Sequence, residues 1–294
     1  MQTAAEITLT PVSIPTSHPA PAFPSLRFSY SPSRDGTSSN LLILLHGLGD
    51  TLHPFANLAH SLNLPQTATL SLQAPERVPL LEDEAYQWWE SFDALGELIP
   101  NPNPSSTLAL LIRFLEHLTA PVSPPSSSSS PAPPAPANPG CGWHPSQLHL
   151  FGYAQGGSCA SELALLWART HPASLHLGSV VSLSAPLLSH PTTAADKRAA
   201  TRVCVVFRKA EERMVGLASY RKGFAEVREV RLESGRGREG MPRGMDEWRE
   251  IMRFWSETLV RRSAIETQGE VYEIAGGVAA AQAAGAKPPP SKGQ

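Results

Sequence analysis

Three cysteines in 294 residues, Cys141, Cys159 and Cys204, are odd in number and follow no framework spacing. A disulfide-stapled secreted domain is therefore excluded. Charge is also scarce: charged residues make up 17% of the chain and the formal net charge is −2, a balance with no footprint for nucleic acid or an acidic membrane. The basic run 228–238 is interleaved with Glu229 and Glu233 and reads as a solvated strand and loop. Apolar runs such as 41–45 stop at strand length, so no transmembrane segment is expected. The start, Met1 to Glu6, lacks the basic opening and apolar core of a signal peptide, and a cytoplasmic location is expected. The histidines are scattered, none at ligand spacing with a cysteine or carboxylate, so neither a metal nor another cofactor is expected.

Proline, in contrast, is plentiful at 29 residues, and its clusters divide the chain. Residues 1–24 read as a disordered lead-in, 121–140 as a disordered Pro/Ser insertion, and 269–294 as a disordered Ala/Gly/Pro tail. Between them, 25–268 reads as one domain. Residues 41–45, 67–72, 148–151, 179–184, 203–207 and 227–232 are strand candidates, and 54–62, 107–118, 161–167 and 246–259 carry apolar residues at helical spacing. Strands alternating with helices imply an α/β fold with a mostly parallel central sheet covered by helices on both faces.

One stretch, Phe151-Gly152-Tyr153-Ala154-Gln155-Gly156-Gly157, has the parts of a nucleophile elbow without the nucleophile. In the G-x-S-x-G pattern the glycines allow a sharp turn from strand to helix, which lifts a serine hydroxyl above the sheet. Gly152 and Gly156 supply the turn here, but Ala154 has no oxygen or sulfur at its centre. Ser158 and Cys159 lie further along the helix, roughly 6–8 Å beyond the elbow amides at a helical rise of about 1.5 Å per residue. Cys159 and Cys204 read as small buried residues, and His46 as a packed structural residue.

Together with His46-Gly47-Leu48-Gly49-Asp50-Thr51 at the end of the first apolar strand, this elbow resembles the acyl-protein thioesterase and carboxylesterase/phospholipase family of α/β-hydrolases. Gln73-Ala74-Pro75 and Trp88-Trp89-Glu90-Ser91-Phe92-Asp93 are weaker parts of the likeness, which runs from about 41 to 259 without the Pro/Ser insertion. The resemblance implies an α/β-hydrolase fold and an oxyanion hole from the backbone N–H groups of Leu48 and Gln155. It places the triad acid at Glu211, with Arg208 where the family has glycine, and the triad histidine at Arg243. A guanidinium stays protonated and cannot act as general base.

The expected function is therefore a hydrolase-fold protein with a degenerate triad, Ala154, Glu211 and Arg243, that binds an acyl or other carboxylate ligand without cleaving it. An Arg243–Glu211 ion pair in place of the lost histidine–acid contact is an equal expectation for those two residues. An active carboxylic ester or acyl-protein thioester hydrolase is one alternative. A scaffold docking through the Pro/Ser insertion is another.

Overall fold

The computed structural model describes residues 9–11, 23, 26–79, 81, 83–93, 95–122, 140–191, 198–234, 240–262 and 272–274. In chain order these form β1 (Leu9–Pro11), β2 (Phe28–Ser31), β3 (Asn40–Leu45), α1 (Leu52–Leu62), β4 (Thr67–Leu72), β5 (Glu76–Arg77), β6 (Tyr86–Gln87) and α2 (Ser105–Thr119). Then follow β7 (Leu148–Tyr153), α3 (Gln155–Thr170), β8 (Ser179–Leu183), β9 (Arg202–Arg208), α4 (Glu212–Val215), α5 (Leu217–Gly223), β10 (Val227–Leu232), α6 (Gly244–Thr258) and β11 (Tyr272–Ile274). Residues Pro15–Val260 make one compact unit; Met1–Ile14 with Arg261–Gln294 make another. The latter contains an antiparallel pair, β1 with β11, in which Leu9 stands opposite Ile274. These strands lie in stretches read from composition as disordered. Thr10, Tyr272 and Ile274 are β-favouring residues set in that Pro- and Ala-rich background. Residues 123–139 of the Pro/Ser insertion lie outside the described residues.

In the larger unit a seven-stranded sheet runs β10-β9-β8-β7-β3-β4-β2. All neighbours are parallel except β2, which closes one edge antiparallel to β4. The run Leu41-Leu42-Ile43-Leu44-Leu45 is fully buried because both faces are covered. Leu41, Ile43 and Leu45 join a core with Leu111 and Phe114 of α2 and Leu163 and Trp167 of α3. Leu42 and Leu44 join a second core with Phe55 of α1 and Ile251, Phe254 and Trp255 of α6. That is the period-2 alternation of a strand read out on two helical layers.

Asn40 fastens the end of this unit. Its Nδ2 donates to the Val260 carbonyl and its Oδ1 accepts from the Val260 amide, each at 2.9 Å. Next to it, His149 in β7 is fully buried, with Nδ1 2.8 Å from Ser179 Oγ and Nε2 3.3 Å from Asn40 Oδ1. Burial pulls its pKa down to about 3. The folded chain therefore keeps it neutral where the unfolded chain, titrating near 6.5, takes up a proton. Its contribution to stability is full above pH ~6.5 and is lost progressively as pH falls towards 3, about 2 kcal/mol at pH 5. Urea midpoints at pH 7 and pH 5 should show this loss, and His149→Gln should flatten it; an equal slope in the variant would assign the loss to other groups.

Candidate active site

The carboxyl ends of β3, β7, β8 and β9 meet at one edge of the sheet, where an open α/β sheet places its ligand crevice. At the end of β7 the chain turns abruptly into α3 through Ala154, which has φ 49° and ψ −117°. This is a strained conformation for a residue with a Cβ. Packing imposes it. A Cβ on Gly152 would collide with the Gly156 carbonyl, and one on Gly156 with the Leu45 and His46 carbonyls, so strand, helix and β3 approach as only glycines permit. The Ala154 amide donates to the Leu183 carbonyl at 2.8 Å, tying the turn to β8. Strain of this kind costs roughly 1–3 kcal/mol, against about 0.5–1 kcal/mol for the extra freedom of an unfolded glycine. Ala154→Gly is therefore expected to stabilise the fold by about 1 kcal/mol. Thermal unfolding reads it, and a lowered midpoint would mean the turn is unstrained.

Gln155, the first residue of α3, has an N-terminal-turn amide with no intrahelical acceptor. Its side chain, 9% exposed, points the other way. Oε1 accepts from the Trp88 amide at 2.8 Å, and Nε2 donates to Ser91 Oγ at 2.8 Å and the Trp89 carbonyl at 3.3 Å. The Trp-Trp-Glu-Ser segment is thus held against the elbow. Leu48 lies in the turn after β3, where the Gly49 amide donates to the Tyr86 carbonyl at 2.9 Å. Its side chain is 38% exposed. His46 is fully buried beneath this turn. Its Nε2 accepts from the Ala74 amide at 3.0 Å and lies 2.9 Å from Gln73 Nε2, while Nδ1 is 2.7 Å from the Gly47 carbonyl. Those partners require the neutral Nδ1–H tautomer, and burial holds its pKa below the ordinary value. His46 is a structural fastener between β3 and the Gln-Ala-Pro turn.

Beyond β9, Glu211 Oε2 accepts from the Ser184 hydroxyl at 2.8 Å and the Arg208 amide at 2.9 Å. Ser184, at φ 51° directly after β8, carried no signal in the sequence; it matters only because the register sets β8 between β7 and β9. The expected Arg243–Glu211 pair is absent from these contacts. Arg243 instead stands at the N-terminus of α6, its backbone amide donating to Glu247 Oε2 at 2.7 Å.

Arg208, which stands where the resemblance expects a glycine, is 3% exposed and fastens the segment before α6. Nη1 donates to Glu247 Oε1 at 3.1 Å and the Glu233 carbonyl at 2.8 Å; Nη2 donates to Glu247 Oε2 at 3.0 Å and the Met241 carbonyl at 3.2 Å. Nε donates to the Gly240 carbonyl at 3.3 Å. Tyr153, the residue before Ala154, completes the wall. Its ring lies over Gly47, and its hydroxyl is 3.2 Å from where a Cβ on Gly240 would stand. Burial, then the charge of Glu211, raises its pKa.

Neither thiol is a substitute nucleophile. Cys159 and Cys204 are fully buried in the two cores. Burial raises both pKa values, that of Cys204 to about 12, so neither ionises near neutral pH. Among the described residues no group of three or more His, Cys, Asp and Glu is placed to hold a metal ion, and no helix is long and apolar enough to cross a membrane.

A glycine-locked strand-to-helix elbow beside the first strand of a mostly parallel sheet defines an α/β-hydrolase. The chain belongs to the Phospholipase/Carboxylesterase family, whose match spans residues 32–212. It is 36% identical over 252 residues to an uncharacterized hydrolase of Mycosarcoma maydis, covering 84% of this chain and 87% of that protein. Among solved structures it is similar in fold to esterase PE8, at TM-score 0.57 and 17% identity, covering 80% of this chain and 99% of that one. It is likewise similar to acyl-protein thioesterase 2 of Zea mays, at TM-score 0.55 and 19% identity, covering 80% and 99%.

Proposed function

We propose that this member of the family uses its elbow to hold an acyl-derived carboxylate and does not cleave it. The observation that carries the reading is Ala154, which keeps the strained elbow backbone at φ 49° and ψ −117° with no atom able to attack a carbonyl. An anion at this turn would meet the N-terminus of α3, where the Gln155 amide and the helix dipole favour negative charge, with the Leu48 amide of the turn after the neighbouring strand β3 as the second donor that the resemblance implies. With Arg243 at the histidine position, Ala154, Glu211 and Arg243 form a degenerate triad. Exposed apolar side chains support the acyl part. Leu48, Met214 and Met245 are 38%, 48% and 89% exposed, each on a segment at this edge of the sheet.

Titration of the full chain with myristate and decanoate tests the reading calorimetrically. Binding is expected, and Ala154→Asp should abolish it by placing a carboxylate where the ligand's would sit. Heats indistinguishable from dilution for both acids, or unchanged affinity in Ala154→Asp, would sink the proposal. The second reading, an active ester hydrolase, is favoured by the hydrolase name of the Mycosarcoma maydis relative.

A further inference from the structure

A cleft of about 700 Å³ opens between the β5–β6 hairpin and the start of α2, lined by Glu76, Gln87, Glu90, Asn101 and Ser106 among others. Ala154 and Leu48 do not line it. Gln87 is 3% exposed, and its Oε1 accepts from the Ser91 amide at 3.2 Å. Its Nε2 has two N–H groups and no acceptor among the described residues, yet it is not sealed from the cleft. A nearly buried amide with idle donors calls for an oxygen from outside. The wall also brings two carboxylates into mutual repulsion: burial, then the charge of Glu90, raises the pKa of Glu76. Arg77 also lines the cleft, and its Nη2 donates along the hairpin to the Leu81 and Asp83 carbonyls, at 3.5 Å each.

We propose that this cleft binds a primary ammonium group with a neighbouring oxygen acceptor, the ammonium between Glu76 and Glu90 and the oxygen on the Gln87 amide. An anion would face two carboxylates, and a neutral polyol would leave their repulsion in place. A cation removes it and makes charge-assisted hydrogen bonds to both. Amino sugars and lysine-bearing peptides share this chemistry.

The test titrates the full chain with glucosamine, with the tripeptide Gly-Lys-Gly, and with glucose as the amine-free control. At least one of the two amines is expected to bind about tenfold or more tightly than glucose, with Glu90→Gln weakening it about tenfold. Glu90 is exposed, so that substitution leaves the fold in place. Binding of glucosamine alone assigns the amino sugar, binding of the peptide alone assigns the lysine side chain, and binding of both supports the shared chemistry. No binding of either amine, equal binding of glucose, or unchanged affinity in Glu90→Gln overturns the proposal. Ala154→Asp is expected to leave amine binding unaltered, which keeps this outcome separate from that of the elbow; a loss there would also overturn it.

Discussion

Ala154→Ser alone is expected to leave the protein without esterase turnover, whereas Ala154→Ser with Arg243→His should raise hydrolysis of short acyl nitrophenyl esters about 100-fold above the single variant. The elbow backbone is already in place, so a serine hydroxyl at 154 would stand at the head of α3 beside the Leu48 turn. What it would lack is a base. A serine hydroxyl stays weakly nucleophilic until a neighbouring group takes its proton. Arginine cannot do so. Glu211 is held by the Ser184 hydroxyl and the Arg208 amide, the fixed orientation that an acid supporting a histidine needs. A histidine at 243 supplies the missing step, and general-base catalysis contributes typically 10²–10⁴-fold. A fluorophosphonate probe should label the double variant and leave the natural protein untouched. Labelling and robust turnover in the natural protein would replace the binding reading with that of a working hydrolase. Full activity in Ala154→Ser alone would show that Glu211 or another group acts as base without position 243.

The parallel strands 41–45 and 203–207 were legible because both faces are covered and they are apolar without a break; the edge strand β10 matches the candidate 227–232 although only Val230 and Leu232 of it are buried. The edge strand β2 was not legible, since Phe28–Ser31 is half-buried throughout and sits in Pro/Ser-rich sequence. The apolar spacing of α3 was legible only over 161–167, although Gln155 was read as lying at a helix N-terminus, which is where the helix begins. Its first turn is built of Gly156, Gly157 and Ser158, poor helix formers that are there for close packing and not for propensity. α4 and α5 were not among the helix candidates, because they bury few side chains, Val215 and Tyr220 among them. At the site, the elbow could be read from glycine spacing alone. The surroundings of Glu211 could not, because Ser184 and Arg208 reach it through strand order and backbone contacts that leave no spacing rule in the chain.

Arg208→Ala should be the most damaging single substitution at this edge, lowering stability by about 3–5 kcal/mol and the unfolding midpoint by roughly 10 °C. The guanidinium meets Glu247 in a two-pronged pair and three backbone carbonyls at once, so every N–H it carries is used. Removing it takes the two-pronged cationic partner from the Glu247 carboxylate, of which 16% of the side chain is exposed, and a donor from each of the carbonyls of Glu233, Gly240 and Met241. Lysine offers one compact ammonium in place of a planar fork, so Arg208→Lys should recover only a minor part of the loss. The segment before α6 also carries Arg243, whose amide caps on the same Glu247. Loosening it should therefore weaken carboxylate binding at the elbow along with stability, although Arg208 touches no ligand. Thermal unfolding and myristate titration on Arg208→Ala and Arg208→Lys separate the two effects. A midpoint within about 2 °C of the natural protein, the shift expected of less than 1 kcal/mol, would mean that water replaces the guanidinium and that this fastening is dispensable.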